Sequence, residues 1–301
     1  MRLDTHVHTC FSGYSTIRGL KPLLRESYNT PEQVYQLAKS RGMDLVTITD
    51  HDRIDGALTI AHRPDVIVGC EVTATFTHDG LQVHLGVLGL NESQYADIMR
   101  LRADIRELLP YLRQQQLFVS INHVASRVNR RLTADHVVAM LPWVDGMEVI
   151  NGSRLRSQNR TAYRLALANG KALMAGSDAH TPRGIGQTWV DARDARTREE
   201  FLVELRARRV RPGGTHGHYF TMSEDILRTF TGVYRETGAE WLKNPLSPKR
   251  YLALAALVAA SPLLSIAFVI AAAHFGMEMQ FNRSLLFDIG RRPTLNVAGL
   301  A

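Results

Sequence analysis

Seven short apolar runs punctuate the first 190 residues, and six of them deliver a histidine or a carboxylate at or near one end. The runs are Met1–His6, Asp44–Thr49, Asp65–Gly69, Leu81–Leu88, Leu117–Asn122, Gly146–Ile150 and Ala172–Ala175, each expected as a strand. Helical patterns fill the intervals, and that alternation is the signature of repeated βα units. Thr30 reads as an N-cap with Pro31 in the first helical position, and Gly42 as the stop after Arg41. Residues 91–116 read as one long amphipathic stretch that Pro110 interrupts, while Thr133 and Thr197 read as further N-caps. Pro212-Gly213-Gly214 reads as a loop and 244–248 as a linker. At 301 residues, 45% apolar and 22% charged, the chain has material for a sizeable core.

The distribution of ligand-type side chains is the informative observation. Strand one ends in Asp4-Thr5-His6-Val7-His8 and strand two in Thr49-Asp50-His51-Asp52. Strand three ends in Gly69-Cys70-Glu71, strand four carries His84, strand five ends in Asn122-His123, and strand seven ends in Gly176-Ser177-Asp178-Ala179-His180. A lone histidine is ordinarily a structural residue, but six strands delivering such residues near one end is not what that reading produces. In a (β/α) barrel those ends converge on one face, where active sites are built. Imidazole with carboxylate suits Zn, Mn, Fe or Co, and the lack of thiolate argues against a closed structural zinc site. So many ligands point to two or three adjacent ions. Cys10 and Cys70 are too few for a disulfide framework and read as packing residues, with a reducing compartment as the default.

The ordered set His6-Val7-His8, Thr49-Asp50-His51-Asp52, Glu71, His84, Asn122-His123 and Gly176-Ser177-Asp178-Ala179-His180 resembles the motifs of the PHP family, named for polymerase and histidinol phosphatase, over residues 1–220. The resemblance implies an α/β fold, a distorted seven-stranded (β/α) barrel, with two or three divalent ions (Mn, Zn or Fe) hydrolysing phosphate esters. Carried over by motif, His6, His8, Glu71 and Asp178 would hold one ion. Glu71 would bridge to a second held by His84 and His123, and His51 and His180 would hold a third. The chain departs from the family in one place. Where many relatives have an Asp or His after the first motif, Phe11-Ser12-Gly13-Tyr14-Ser15 offers no strong ligand. The following segment, Thr16 to Asn29, reads as a loop over the site.

Water bound between cations gives hydroxide near neutral pH, and Asp50, His51 and His180 are the candidates for protonating the leaving group; the sequence does not choose among them. Arginine suits the remaining phosphate oxygens. Arg127, Arg130, Arg154 and Arg183 follow the motifs and are expected at the rim of the site. His216 and His218 read as linker, and His62, His78, His136 and His274 fit no motif.

From Tyr251 to Met277 there is no Asp, Glu, Lys or Arg. About 20 apolar residues span a bilayer as a helix. Lys243, Lys249 and Arg250 before the segment favour a cytoplasmic N-terminal side, which Arg283, Arg291 and Arg292 beyond it blur. The expected organisation is therefore a barrel over 1–220, a linker over 221–250, a transmembrane helix over 251–276 and a tail, with a cytoplasmic catalytic domain anchored to the membrane. The net charge of +7 suits an anionic partner. Phosphomonoesters of nucleotides or short oligonucleotides are the expected substrates, by phosphatase or 5′–3′ exonuclease action. A membrane-tethered metal-binding or regulatory module with little catalysis is the alternative. No stable protein partner is inferred.

Overall fold

The computed structural model describes residues 1–14, 25–129, 132–243, 251, 255, 258, 263–292 and 295. Six strands form one curled sheet in the order β2-β3-β4-β5-β6-β7: Val46–Ile48, Val66–Phe76, Leu81–Leu88, Phe118–Ile121, Gly146–Asn151 and Ala172–Gly176. The first strand, β1 (Arg2–Leu3), belongs to a second sheet with β8 (Thr188–Asp191) and β9 (Arg211–Gly214). A parallel bridge between Val7 and Ala179 still brings the segment after β1 alongside the end of β7.

Two features differ from a regular (β/α) barrel. Strand β3 does not stop at Gly69 but runs on through Glu71 to Phe76, and a tight turn at Thr77–Gly80 returns the chain antiparallel as β4. With four residues between the strands there is no room for a crossover helix, so a hairpin replaces one βα unit. Pro212-Gly213-Gly214, expected as loop, is paired with Thr188–Val190 in β9.

Helices α1 (Pro31–Ser40), α2 (Asp55–Leu58), α3 (Glu92–Leu101), α4 (Ile105–Gln114), α5 (Ala134–Met140), α6 (Arg156–Ala168) and α7 (Arg198–Arg206) accompany the sheets. Their starts follow local chemistry. Thr30 accepts from Gln33 N at 3.2 Å and Thr197 from Glu200 N at 3.2 Å, each satisfying an otherwise unpaired first-turn donor. The expected long helix over 91–116 breaks before Asp104, not at Pro110. The Asp104 carboxylate caps α4 by accepting from Arg106 N at 3.0 Å, and Pro110 sits inside that helix. The main core lies between the sheet and these helices. Val72, Leu85, Ile121 and Met147 meet Ile105, Leu108, Leu112 and Leu165 there, all buried.

The C-terminal region corrects the membrane reading. The stretch from residue 221, expected as linker, is helical: α8 covers Tyr219–Lys243 and α9 covers Leu263–Gly290. Residues 244–250, with the expected linker prolines, and most of 251–262 lie outside the described residues. Among the described residues, no helix is long and apolar enough to cross a membrane. The transmembrane helix, and with it the anchoring of a cytoplasmic domain through that helix, is therefore not supported. The physical reason is on α9 itself. Leu285 and Ile289 are buried in the main core. Glu278, 1% exposed, accepts hydrogen bonds from Arg127 N at 2.9 Å, Gln158 Nε2 at 2.6 Å and Ser126 Oγ at 3.2 Å. Thr161 Oγ1 donates to Asn282 Oδ1 at 2.8 Å. These contacts dock the C-terminal half of the helix on the core, just past the apolar stretch, while Val269 within that stretch is exposed.

Candidate metal centre

The segment after β1 is fastened from below before it presents its histidines. Asp4, fully buried, accepts from Ser177 N at 2.8 Å and from Gly186 N at 2.7 Å. Asp178 N donates to His6 O at 2.8 Å and His8 N to Ala179 O at 3.1 Å. In extended backbone, residues two apart share a face, so His6 and His8 turn together, with their Nε2 atoms 2.9 Å apart. Gly176 allows this closeness: a Cβ there would lie 2.3 Å from His6 Cβ and 2.7 Å from His6 N.

Glu71, in the middle of β3, is the hub. His6 Nε2 lies 3.3 Å and His123 Nε2 2.9 Å from its Oε1, with His84 Nδ1 3.4 Å from the same oxygen. His8 Nε2 lies 3.4 Å and His51 Nδ1 3.0 Å from its Oε2. Asp178 Oδ1 lies 3.6 Å from His6 Nε2, 3.5 Å from His8 Nε2 and 3.6 Å from His180 Nδ1. The hairpin sets part of this geometry, because it pairs Thr73 with His84 and Glu71 with Gly86 across two strands. His123 and Asp178 sit at positive φ, 28° and 52°, conformations that non-glycine residues hold only where surroundings over-determine them.

These residues fit divalent cations. Ligands about 2.1 Å from a tetrahedrally coordinated ion lie about 3.4 Å from one another, and the separations among His6, His8, Glu71 and Asp178 run from 2.9 to 3.6 Å. Buried Glu71 Oε2 and His84 Nδ1 have no hydrogen-bond partner; the approach of His51 to Glu71 Oε2 is close but not aligned as a hydrogen bond. Charge agrees. Burial opposes ionisation of Glu71 and Asp178, yet His6 and further cationic neighbours hold both well below the usual carboxylate range. Burial likewise opposes charge on His6 and His51, but Glu71 with other carboxylates holds His6 well above an ordinary imidazole and pushes His51 up to about 9. Burial, and then His180 and His51, drive His8 the other way.

Ligand atoms converge in overlapping groups: His6 with His8 and Glu71, His51 with Glu71 and His84, His8 with His51 and His180, and His6 with His123 and Asp178. All eight expected ligands are gathered, but His84 shares a group with His51, and His123 shares one with His6. Asp50 is fully buried; Thr9 N, Thr9 Oγ1 and Ser12 Oγ donate to its oxygens at 2.6–2.7 Å. His51 and His180 are a quarter exposed, at the mouth. Arg154 donates from Nη2 to Asp178 Oδ2 at 3.0 Å, Arg183 pairs with Glu224 of α8 at 3.0 Å, and Arg127 lies against Met277 of α9. Arg130 lies outside the described residues.

Sequence reasoning missed Glu148. Strand β6 was the one run without a ligand-type residue at its end, yet Glu148 inside it reaches the cluster from beneath. Its Oε1 is 2.8 Å from His6 Nδ1, and its Oε2 accepts from His123 N and Asn151 Nδ2, each at 2.8 Å. A single acid within an apolar strand was the available signal.

Fold and site define an α/β protein with a curled mixed sheet and a cluster of histidines and carboxylates near its strand ends that suits divalent cations. Residues 156–210 match the PHP-associated family, PHP_C. A two-domain protein of Bacteroides vulgatus, described as containing a predicted PHP-like metal-dependent phosphoesterase, superposes with a TM-score of 0.54 at 18% identity, over 77% of this chain and 69% of that one. PsfC of Pseudomonas syringae superposes with a TM-score of 0.51 at 18% identity, over 71% and 91%. An uncharacterised protein of Methanocaldococcus jannaschii is 31% identical over 80 residues, 25% of this chain and 46% of that protein, so the chain spans just under half of that relative's length. The chain thus resembles the PHP family through the matched segment 156–210 and shares its fold with a PHP-like protein.

Proposed function

We propose that this chain hydrolyses phosphate esters with the help of two or three divalent cations, Mn, Zn or Fe, and that its substrates are phosphomonoesters of nucleotides or short oligonucleotides. The observation that carries the reading is the ligand-like spacing of His6 and His8 from each other, from Glu71 and from Asp178, 2.9–3.6 Å. His84, His123, His51 and His180 extend the set to further ions. The cations would supply hydroxide near neutral pH and positive charge facing the phosphoryl oxygens. Glu148 holds the His6 ring through Nδ1, leaving Nε2 for a cation. Arg154 holds the outer oxygen of Asp178 and keeps the inner one turned to the cluster. Of the three candidate acids, Asp50 has its oxygens taken by Thr9 and Ser12. Protonation of the leaving group therefore falls to whichever of His51 and His180, both at the mouth, is not holding a cation. The net charge of +7 favours approach of an anion.

The test is metal analysis of the purified chain followed by turnover, with added Mn²⁺, on a panel of phosphomonoesters, nucleotides and 5′-phosphorylated oligonucleotides. Two or more bound ions and hydrolysis that disappears in Glu71→Gln and Asp178→Asn, with circular dichroism unchanged, are the expected results. Wild-type turnover in either variant would sink the assignment, and bound metal without turnover on any ester would make the chain a binding module.

A further inference from the structure

We propose that His78, Asp79 and His136 form a second cation site, separate from the cluster around Glu71, that takes a single zinc-class divalent ion at the tip of the β3–β4 hairpin. The three ligand atoms lie within 4.8 Å of one another. Five residues of extended strand, roughly 16 Å, separate Glu71 from Phe76 before the tip is even reached, so no ligand is shared with the main centre.

The arrangement is that of ligands turned toward one point. Asp79 Oδ1 accepts from Leu81 N at 3.0 Å, which fixes the carboxylate and leaves Oδ2 facing both imidazoles. His136 Nε2 lies 3.0 Å and His78 Nε2 3.7 Å from that oxygen. These values bracket the ~3.4 Å expected between ligands of a tetrahedral ion at ~2.1 Å. The two rings are stacked, with centroids 5.6 Å apart and planes 19° apart, over the edge of buried Phe76. His136 Nδ1 is 2.7 Å from Thr133 Oγ1. A neutral ring donating its Nδ1–H to that hydroxyl keeps the Nε2 lone pair for a metal, the outer partner a ligating histidine normally has. Here Nδ1 instead accepts from Thr133 N at 3.2 Å with Nε2 3.0 Å from Asp79 Oδ2, so binding would exchange one tautomer for the other.

Two imidazoles and one carboxylate select Zn²⁺, and also Cu²⁺ or Ni²⁺, over the oxygen-seeking Mg²⁺ and Ca²⁺. His78 and Asp79 are exposed, which leaves room for a water as fourth ligand. The ion would clip the hairpin that carries Glu71 and His84 to the first turn of α5. That turn is already tied to α9, since Ala134 N donates to Asp288 Oδ2. The site is thus a clamp on the wall of the main centre. It does not depend on what that centre catalyses.

The experiment is a Zn²⁺ titration of the full chain against a chromophoric chelator, in the wild type and in His78→Ala. The His78 side chain is 63% exposed, so the variant has little reason to misfold, and equal melting temperatures of the two metal-free proteins check this. The wild type is expected to take up one Zn²⁺ more than His78→Ala and to gain more in melting temperature as Zn²⁺ is added. Hydrolysis by the variant is expected to be unchanged. Asp79→Asn should lose the same ion, whereas Glu71→Gln should lose ions from the main centre and keep this one. Equal stoichiometry in wild type and His78→Ala overturns the proposal, as does loss of this ion in Glu71→Gln.

Discussion

Glu148→Gln probes the centre through a residue that touches no substrate. The substitution keeps side-chain volume and removes one charge from a position 2% exposed. Its amide nitrogen must replace either Oε1, which faces His6 Nδ1 at 2.8 Å, or Oε2, which accepts from His123 N and Asn151 Nδ2 at 2.8 Å. With cations on Nε2, His6 carries its proton on Nδ1, so in either orientation an amide N–H meets another donor. One hydrogen bond is lost and a buried donor is stranded, at about 1–3 kcal/mol. At ~1.4 kcal/mol per tenfold, this corresponds to roughly 10–100-fold weaker metal binding where the loss falls on the liganded state, the range found for groups that orient histidine ligands. The assay is competition for metal against a chelator, with a thermal melt of the metal-free protein beside it. Glu148→Gln should bind metal about 10–100-fold more weakly with a modest loss of melting temperature, and Glu148→Ala should be worse in both because it also leaves a cavity. Wild-type metal affinity in Glu148→Gln would refute the reasoning, since among the described residues only Glu148 holds His6 Nδ1.

Glu278→Ala strands the Ser126 hydroxyl, Arg127 N–H and Gln158 amide. It should destabilise the protein by about 3 kcal/mol, seen first as faster amide exchange in 271–290; unchanged protection there would count against the docking of α9. Gly176→Ala places a Cβ against the His6 backbone, so a loss of ~1–3 kcal/mol should accompany weakened metal binding, and a variant with wild-type stability and metal content would show that the two strands part freely. Burial raises Asp4 to about 6 from 3.8, despite hydrogen bonds from Ser177 and Gly186 that favour its ionised form. Because the raised value means the folded state holds the proton more tightly, this contribution to stability is full below about pH 4 and is lost as pH rises to about 6. Asp4→Asn should flatten that limb of the stability–pH curve by up to about 3 kcal/mol, as read by urea denaturation at pH 4 and 6; an unchanged slope would remove Asp4 as its source.

The clustered histidines and carboxylates were legible because cation chemistry leaves few alternatives. His6, His8, Asp178 and His180 stand out whatever the surrounding chain does, and their order along successive apolar runs carries information about a common face. Register was less legible. Nothing local says that β3 continues past Gly69, since Glu71, Thr73 and Thr75 look like a polar loop until β4 pairs opposite them. The same pairing turns one expected βα unit into a hairpin and carries His84 to Glu71. Glu148 escaped notice for the converse reason. One acid in an apolar strand gains meaning only when His6 and His123, 142 and 25 residues away in sequence, arrive beside it.

The apolar C-terminal stretch illustrates a deeper ambiguity. A helix covering a core and a helix facing hydrocarbon are built from the same residues, and composition alone does not separate them. What separates them is where the occasional polar group points. On α9, Glu278, Asn282, Leu285 and Ile289 follow one another at intervals of four, three and four, which places them along one helical face. That face meets Ser126, Gln158 and Thr161 at its polar positions and the main core at its apolar ones. Both polar groups lie just past the 251–276 stretch, and a span extended over them would hold an unpartnered carboxylate and amide, each costing several kcal/mol. Against α6 and the segment after β5 both are satisfied.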